Sequence, residues 1–374
     1  MRGFGWGIAP SPVVRENRGG GGVVGSREFV NRLGAELLAR QVTEEPHRNA
    51  LCSPVGVAAL ISLLHPEAGV GLDAETREAL RRFDPDPDLL RDLDPDQPPE
   101  TPLLHLADHV MLIDDTEPLP GYMAALDDRA TISRAPLAEA RTRLDAWAAL
   151  HTGKLIEQTA VVVDEQTRIV LQNALLVAAG WDRELTLLSD GAPFHRADGT
   201  TSTVTCMGAQ TDRRFVRRRG WQAVRLDHRC GGLACDLILP RQRISPVELP
   251  PGTWAAATEA LTVAEPTPVR LRMPRLDLSS GPVPLNPLLE ELGVPPGLDH
   301  VAPGLPAVQV AQQVRVTVTE RGVVAAALTE HWMSASLSAT DPVPFVVDRP
   351  FVLRLVDLEA GVPLVEAVVM DPAE

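Results

Sequence analysis

Residues 320–349 read ERGVVAAALTEHWMSASLSATDPVPFVVDR, and this stretch differs in character from the rest of the chain. It follows an alternating strand pattern at Val314, Val316 and Val318. About 20 residues with no helix or strand pattern of their own predict a functional loop or a linker. Residues 323–329, however, contain neither glycine nor proline, and their small side chains would fit a strand inside a sheet. An exposed loop that can also become a strand is an unusual combination.

The segments that precede this stretch predict an α+β fold in which strands outnumber helices. Apolar residues spaced by three and four predict a helix over 29–38, and Ser53 and Pro54 begin a second helix whose apolar run predicts burial. An alternating strand is expected at 103–113 and a strongly apolar central strand at 168–178. Further strands are expected at 203–207, 214–218, 222–228, 233–239, 269–273, 314–319, 345–348, 351–356 and 363–369, and further helices at 137–158, 253–261 and 285–292. Since strands and helices do not alternate regularly, the sheets should be large and mainly antiparallel.

The composition excludes several classes of protein. The chain has 374 residues and a formal net charge of -15, which argues against a nucleic-acid binder because phosphate neutralisation requires a basic surface. The longest apolar run, residues 55–64, is far shorter than the roughly 18 residues of a membrane span. Four cysteines are too few for a disulfide-stapled scaffold. Neither nucleic acid nor a membrane is therefore expected as a partner.

The first part of the chain has a composition of its own. Residues 1–27 are rich in glycine, proline and arginine without periodicity, which predicts a flexible tail. They lack the continuous apolar core of a secretory signal peptide, so a cytoplasmic location is expected. An extracellular location stays open if the true start lies elsewhere.

Residues with catalytic or metal-binding chemistry occur, but no pattern joins them. The sequence has no GxSxG, HExxH or SxxK motif that would indicate a catalytic site. Cys230, Cys235 and His228 lack a second pair of zinc ligands and are interpreted as ordinary strand residues. His105 and His109 share one face of a strand but lie more than about 13 Å apart, too far to ligate one metal. No metal, no cofactor and no enzymatic activity are therefore expected.

A basic run, RRFVRRR over residues 213–219, is open to two interpretations. Arginine interleaved with aromatic and apolar residues is one way of binding a polyanion. In a strand, however, these arginines fall on both faces. A solvated strand end is therefore the favoured interpretation.

Six segments, in a constant order along the chain, resemble the motifs of the serpin family. They are residues 49–55 (NALCSPV), Trp147 with Thr152-Gly153-Lys154, Asn173 with Gly180-Trp181, residues 204–207 (VTCM), residues 320–329 (ERGVVAAALT), and residues 348–351 (DRPF) with Gly361 and Pro372. The motifs extend over the whole chain beyond the tail. On these motifs the chain is identified as a member of the serpin family, of the bacterial type.

The resemblance implies a serpin fold, with three β-sheets, eight or nine helices and an exposed reactive-centre loop at about 322–344. Residues 28–374 would then form a single domain behind the tail of residues 1–27. A serine protease would be the partner of this monomer: it attacks the loop and forms a covalent acyl-enzyme. The loop then inserts into the largest sheet and traps the protease.

The hinge at the start of the loop carries the insertion step. The resemblance assigns it to Glu320, Gly322, Val323, Ala325, Ala326, Ala327 and Thr329. In an inserted strand, every second residue from Val323 to Thr329 faces the core together with His331 and Met333, and of these only His331 is a mild cost. About ten new ladder bonds at roughly 1 kcal/mol each would give on the order of 10 kcal/mol.

A second group of residues belongs, by the resemblance, to the region that opens for insertion. It comprises Asn49, Ser53, Gly56, Asn173 and Gln312. Gly56 stands where the family usually has serine, and Gln312 stands where it usually has histidine. Both departures lie in the region that must open, so the energetics of opening should differ from those of the family.

The residues around the bond to be cut restrict the target. Family spacing places the scissile bond between Ser336 and Leu337, with Leu337 as the main competitor for the residue that enters the protease pocket. No arginine or lysine lies between Gly322 and Asp348, and a trypsin-like pocket requires a cation. The expected target is therefore an elastase-, subtilisin- or chymotrypsin-like protease.

One alternative stays open. A protein of serpin fold need not trap proteases; it can bind a ligand or a partner, or simply be cleaved as a substrate. Gly56, Gln312 and His331 favour this alternative, since each affects insertion or the opening that precedes it.

Overall fold

A computed structural model describes most of the chain. The described residues are 26–66, 71–85, 90, 98–126, 129–292, 300–302, 310–323 and 341–374. The α-helices among them are α1 (Ser26–Glu44), α2 (Pro54–Leu64), α3 (Ala74–Leu80), α4 (Pro120–Leu126), α5 (Leu137–His151), α6 (Thr253–Val263) and α7 (Asn286–Glu291). The strands are β1 (Ala50–Cys52), β2 (Leu103–Ile113), β3 (Thr131–Ala135), β4 (Ile169–Gly180), β5 (Thr186–His195), β6 (Thr201–Arg217), β7 (Trp221–Asp227), β8 (Leu233–Pro240), β9 (Pro266–Pro274), β10 (Leu276–Ser279), β11 (Val283–Pro284), β12 (Ala311–Gln312), β13 (Arg315–Val318), β14 (Gly322–Val323), β15 (Val343–Val346), β16 (Phe351–Asp357) and β17 (Val362–Val369).

The strands form sheets of nine, six and two strands. The nine-stranded sheet has the order β1-β17-β16-β8-β7-β6-β9-β15, with β5 also paired to β6. The six-stranded sheet has the order β10-β13-β14-β4-β2-β3, and β11 pairs with β12. All described pairings are antiparallel except β2 with β3 and β15 with β9. The α+β fold with mainly antiparallel sheets is thus confirmed.

The long strand β6 joins two arms of the nine-stranded sheet. Its residues 206–214 pair with β9, and its residues 215–217 pair with β7. Two separate strands were predicted here, at 203–207 and 214–218, and that prediction is wrong. Gly208 lies inside this single strand, where a Cβ would be 2.1 Å from the carbonyl oxygen of Leu271. Close packing of strands, and not a turn, explains this glycine.

The buried helix α2 follows the sequence prediction closely. Ser53 caps it, since its Oγ accepts a hydrogen bond from the Gly56 backbone N at 3.1 Å, and Pro54 occupies the first turn. All residues of α2 are buried. The helix packs against β4 of the six-stranded sheet and β17 of the nine-stranded sheet, so it connects the two large sheets through the core.

Several sequence features occupy ordinary structural positions. All four cysteines are free, with Cys230 exposed and the other three buried. Among the described residues, no group of three or more His, Cys, Asp or Glu side chains is placed to hold a metal ion. Within the same part of the chain, no helix is long and apolar enough to cross a membrane.

Candidate functional site

The hinge begins inside the six-stranded sheet. Gly322 and Val323 form β14, which pairs with β4 through Gly180 and Ala179, and with β13 through Val318. The Val323 side chain is 1% exposed. The first residues of the predicted hinge therefore occupy a strand position between β13 and β4, and Val323 faces the core.

Two features hold Gly322 and the turn before it in this position. A Cβ at Gly322 would lie 2.3 Å from the carbonyl oxygen of Ala179, so only glycine lets the backbone approach β4 this closely. The Glu320 carboxylate lies 3.6 Å from Arg275 Nε, and the Glu320 carbonyl accepts a hydrogen bond from Leu185 N at 2.6 Å. These contacts hold the turn that leads into β14.

Trp181 and His228 form a buried aromatic pair at the same place. The Trp181 indole donates a hydrogen bond to Thr319 O at 2.9 Å, and the Trp181 backbone N donates to Arg321 O at 2.7 Å. The His228 ring stacks on Trp181 with a centroid distance of 4.7 Å. Burial lowers the pKa of His228 to about 4, so its imidazole is neutral at pH 7 and Nδ1 donates to Ala179 O. The end of β4 is thus tied to the turn before β14.

A gap opens in the sheet beyond Val323. Strand β4 pairs with β2 on one side, and β13 pairs with β10, but in the described part of the sheet no pairing joins β4 directly to β13. A cavity of about 110 Å³ lies between them, lined by residues 171–177, residues 312–316 and parts of the segment 152–161 that follows α5. Among the described residues, the edges of β4 and β13 that face this cavity have no pairing partner beyond β14, so a strand that continued from β14 would have ladder partners on both sides.

Ser53, Gly56, Asn173 and Gln312 meet at the other end of this gap. The Gln312 side chain makes two hydrogen bonds with Ser53: its Oε1 accepts from Ser53 N at 2.8 Å, and its Nε2 donates to Ser53 O at 3.0 Å. A Cβ at Gly56 would lie 2.6 Å from Asn173 Oδ1 and 3.2 Å from Gln312 Nε2. The two departures from the family pattern therefore belong together, because the glycine leaves room for the two side-chain amides.

Asn49, predicted for the same region, lies elsewhere. Its Oδ1 accepts hydrogen bonds from the backbone N of Met370 at 2.8 Å and of Asp371 at 3.0 Å. Its Nδ2 donates to Asp371 O at 2.7 Å. Asn49 thus ties the start of β1 to the segment after β17 and makes none of the contacts around Gly56.

Asp108 and Arg77 extend the cluster of Ser53, Gly56, Asn173 and Gln312, but they were not singled out from the sequence. The Asp108 side chain is fully buried, forms an ion pair with Arg77, and accepts a hydrogen bond from Asn173 Nδ2 at 2.7 Å. Asn173 is thereby held with its Oδ1 toward Gly56. A signal was present, because Asp108 is a carboxylate on the inward face of an alternating apolar strand.

A group of aromatic and imidazole rings holds α5 against β2. His105 Nδ1 lies 2.7 Å from Asp84 Oδ1, and His105 Nε2 lies 2.8 Å from His151 Nδ1. The two imidazoles are nearly parallel at 10° with centroids 5.1 Å apart, and the short N–N distance means that one ring nitrogen donates a hydrogen bond to the other. Trp147 packs between His109 and His151. Burial lowers the pKa of His151 to about 4 and also lowers the pKa of His109.

The remaining predicted site residues lie outside the described part of the chain. They are Ala325, Ala326, Ala327, Thr329, Ser336 and Leu337, together with His331 and Met333 of the expected buried face. The scissile bond and the rest of the hinge stay predictions. Their described neighbours are β14, which ends at Val323, and the segment that begins at Asp341.

Comparison with known proteins identifies relatives over nearly the full chain. The family model described as Serpin (serine protease inhibitor) matches residues 28–372. The plasminogen activator inhibitor 1 of Sus scrofa is 25% identical over 377 residues, which cover 91% of this chain and 91% of that protein. This similarity extends over the fold and the candidate site alike.

Solved structures share the fold at lower identity. The native stressed conformation of Arabidopsis AtSerpin1 matches with a TM-score of 0.68 at 18% identity, covering 93% of this chain and 98% of that one. Human thyroxine-binding globulin in complex with its hormone matches with a TM-score of 0.71 at 16% identity, covering 92% and 98%. These relatives come from a plant and from mammals, so they give no support to the expected bacterial type.

Proposed function

The chain belongs to the serpin family, and from that premise we propose that it inhibits serine proteases as a suicide substrate. The single observation that carries the proposal is β14: Gly322 and Val323 of the proposed hinge pair between β13 and β4, and in the described part of the sheet the edges of β4 and β13 beyond them have no partner. The relative from Sus scrofa is itself named an inhibitor. A loop that continues from Val323 into this gap would complete the sheet.

The proposed reaction takes place in the loop. The serine Oγ of the protease attacks the carbonyl carbon of Ser336, the amine of Leu337 leaves with the proton, and an ester joins Ser336 to the protease. The freed loop then enters the gap with Val323 and every second residue after it toward the core. Because the ester moves with the loop, the protease is carried away from its docking position before water hydrolyses the ester.

Insertion requires the contacts around the gap to change. The segment 152–161 lines the cavity beside Val323 and must move aside for a longer strand. At the far end, the two hydrogen bonds between Gln312 and Ser53 hold β12 to the start of α2. The ladder bonds gained by about ten inserted residues, on the order of 10 kcal/mol, exceed the loss of two such bonds.

The proposed target is a protease that accepts an apolar or small residue. No arginine or lysine lies between Gly322 and Asp348, although the chain as a whole has 35 basic residues. A trypsin-like pocket has nothing to bind in such a loop. We therefore expect an elastase-, subtilisin- or chymotrypsin-like protease as the partner.

Incubation with one protease of each type tests the proposal. An SDS-stable complex with an elastase-, subtilisin- or chymotrypsin-like protease supports it, and the same protease blocked at its serine by a sulfonyl fluoride is the control. Cleavage of the loop by all of them without any stable complex would contradict it. A complex with trypsin alone would show that the scissile bond is not Ser336-Leu337.

A non-inhibitory serpin is the second candidate. The Gln312–Ser53 contact closes one end of the gap, which opposes opening. The structural relative thyroxine-binding globulin binds thyroxine, which supports a ligand-binding role for this fold. Cleavage of the loop separates the candidates, since it should raise the thermal stability only where the loop inserts.

Two broader expectations accompany the proposal. We propose that residues 28–374 act as one monomeric inhibitory domain with residues 1–27 as an appended tail, and that the protein acts in the cytoplasm. Limited proteolysis of the tail with retained inhibition would support the first part. Fractionation of the source cells would test the second.

A further inference from the structure

The basic run at residues 213–219 divides into buried and exposed parts. Arg213 is 4% exposed, and burial lowers the pKa of its guanidinium to about 10. Arg214 is half-buried and donates a hydrogen bond to Ala264 O at 2.7 Å. Arg217, Arg218 and Arg219, at the turn from β6 to β7, are exposed. The first two arginines thus have structural roles, and only the last three present their charges to solvent.

Two more exposed arginines, Arg241 and Arg243, follow the end of β8, and that end lies at this turn. Strand β7 pairs with β8, and Trp221 at the start of β7 lies opposite Pro240 at the end of β8. Arg241 N donates a hydrogen bond to Gly220 O at 2.8 Å, so the end of β8 lies at the turn. We call the exposed arginines here the arginine face; it consists of Arg217, Arg218, Arg219, Arg241 and Arg243. None of these five forms an ion pair with any residue that the structure describes. No described carboxylate pairs with these cations, although the chain has a net charge of -15.

The arginine face borders the end of the proposed reactive loop. Strand β15 (Val343–Val346) takes the chain from the loop back into the nine-stranded sheet. Its Phe345 contacts Phe215 edge to face with a centroid distance of 6.2 Å, and the Arg217 guanidinium lies 5.4 Å over the Phe215 ring. The arginine face therefore lies beside β15, the strand that follows the proposed loop in the chain.

We propose that the arginine face docks an acidic patch on the protease that attacks the loop. This inference rests on the proposed function and adds the surface charge of the target to it. The net charge of -15 repels an acidic protease over most of the molecule, so attraction is concentrated at these five cations. Arginine suits such a contact because its planar guanidinium pairs with two carboxylate oxygens at once. The face then acts on the rate of encounter and not on the chemistry in the loop.

A triple variant tests the proposal by kinetics. Arg217→Gln, Arg218→Gln and Arg219→Gln are combined, and the second-order rate constant for attack on the loop is measured as stable complex plus cleaved chain. The probes are purified elastase- and subtilisin-type proteases, some with acidic and some with basic surfaces. Each rate is measured between about 25 and about 300 mM NaCl, a range over which the screening length shrinks several-fold. With acidic proteases, the wild-type rate should fall by about tenfold with rising salt, and the triple variant should be slow and nearly independent of salt.

A control variant carries the same change in net charge at another place. Its three substitutions, all to glutamine, are on α1 or just after it, at arginines that already have a carboxylate partner: Arg32, Arg40 and Arg48. This variant should keep the wild-type rate and salt dependence. If the triple variant and the control behave alike with acidic proteases, the proposal is overturned.

The same measurements separate this inference from the proposed function. Loop cleavage at a rate that depends on the arginine face, without a stable complex, would support docking and contradict inhibition. A stable complex formed at an unchanged rate would support inhibition and overturn docking. A stable complex with basic proteases, and no attack by any acidic one, would likewise support inhibition and overturn docking. If the triple variant loses retention on immobilised heparin but attack keeps its wild-type rate, the face binds polyanionic chains and the proposal is overturned as well.

Discussion

Replacing Gly56 by alanine probes the contact cluster at the start of α2. A Cβ at this position would lie 2.6 Å from Asn173 Oδ1, 3.0 Å from Ser53 Oγ and 3.2 Å from Gln312 Nε2. Asn173 cannot rotate away without losing its hydrogen bond to Asp108 Oδ1, and Gln312 is held by its two bonds to Ser53. Overpacking a buried site of this kind costs about 1–3 kcal/mol.

Equilibrium unfolding in urea measures this cost. The free energy of unfolding of Gly56→Ala should be about 1–3 kcal/mol below that of the wild type. Gly121→Ala is the matched control, because a Cβ there meets nothing within 4 Å and alanine stabilises the exposed helix α4 by about 0.5–1 kcal/mol. Asn173→Ala in the Gly56→Ala background makes room for the methyl group. The loss of unfolding free energy in the double variant should therefore be smaller than the sum of the losses in the two single variants. An unchanged free energy for Gly56→Ala would refute the reasoning.

Three further changes probe the hinge, the α5 interface and the gap. Val323→Arg puts a charge at a position that is 1% exposed and should turn the inhibitor into a substrate. Val263→Arg, at a position that is 80% exposed, is the control and should leave inhibition intact. SDS gels distinguish the stable complex from the cleaved chain. Burial lowers the pKa of His151 to about 4, whereas in the unfolded chain this imidazole is protonated near pH 6.5. The free energy of unfolding in urea should therefore fall as the pH falls from 6.5 to 4. In His151→Gln this decrease should be smaller. Gln312→Ala removes both bonds to Ser53 and should lower the free energy of unfolding by about 1–3 kcal/mol.

Each of these changes has an outcome that speaks against the account. Complex formation by Val323→Arg at the wild-type level would remove insertion at this position. The same pH dependence for His151→Gln and wild type would mean that His151 is not held neutral between α5 and β2. Wild-type stability of Gln312→Ala would mean that its amide does not hold β12 to the start of α2.

Local patterns were enough to locate much of the fold. The second helix was predicted because a serine cap, a following proline and an apolar run are neighbours in the chain, and α2 is capped and buried as expected. Strand β5 was missed because its register shifts twice, between Leu187 and Ser189 and between Asp190 and Ala192, which breaks the alternation that identifies a strand. Patterns of period two or 3.6 therefore find regular elements and lose bulged ones.

Parts of the candidate site depend on contacts between distant residues. The resemblance assigned Ser53, Gly56 and Gln312 to one region. The hydrogen bond between Asn173 and Asp108, which are 65 residues apart in sequence, follows only from the pairing of β4 with β2. The arginine face needs Arg241 and Arg243 beside the β6–β7 turn, and only the pairing of β7 with β8 places them there. Such contacts carry no local signal.

The thermal stability of the loop-cleaved chain tests the central claim most directly. A protease that cuts within residues 324–340 without being trapped is used to cleave the loop, and thermal unfolding of cut and intact chains is then compared. If the loop inserts between β4 and β13, on the order of 10 kcal/mol of new pairing should raise the unfolding midpoint by roughly 10 °C or more. An unchanged midpoint after complete cleavage would contradict the account.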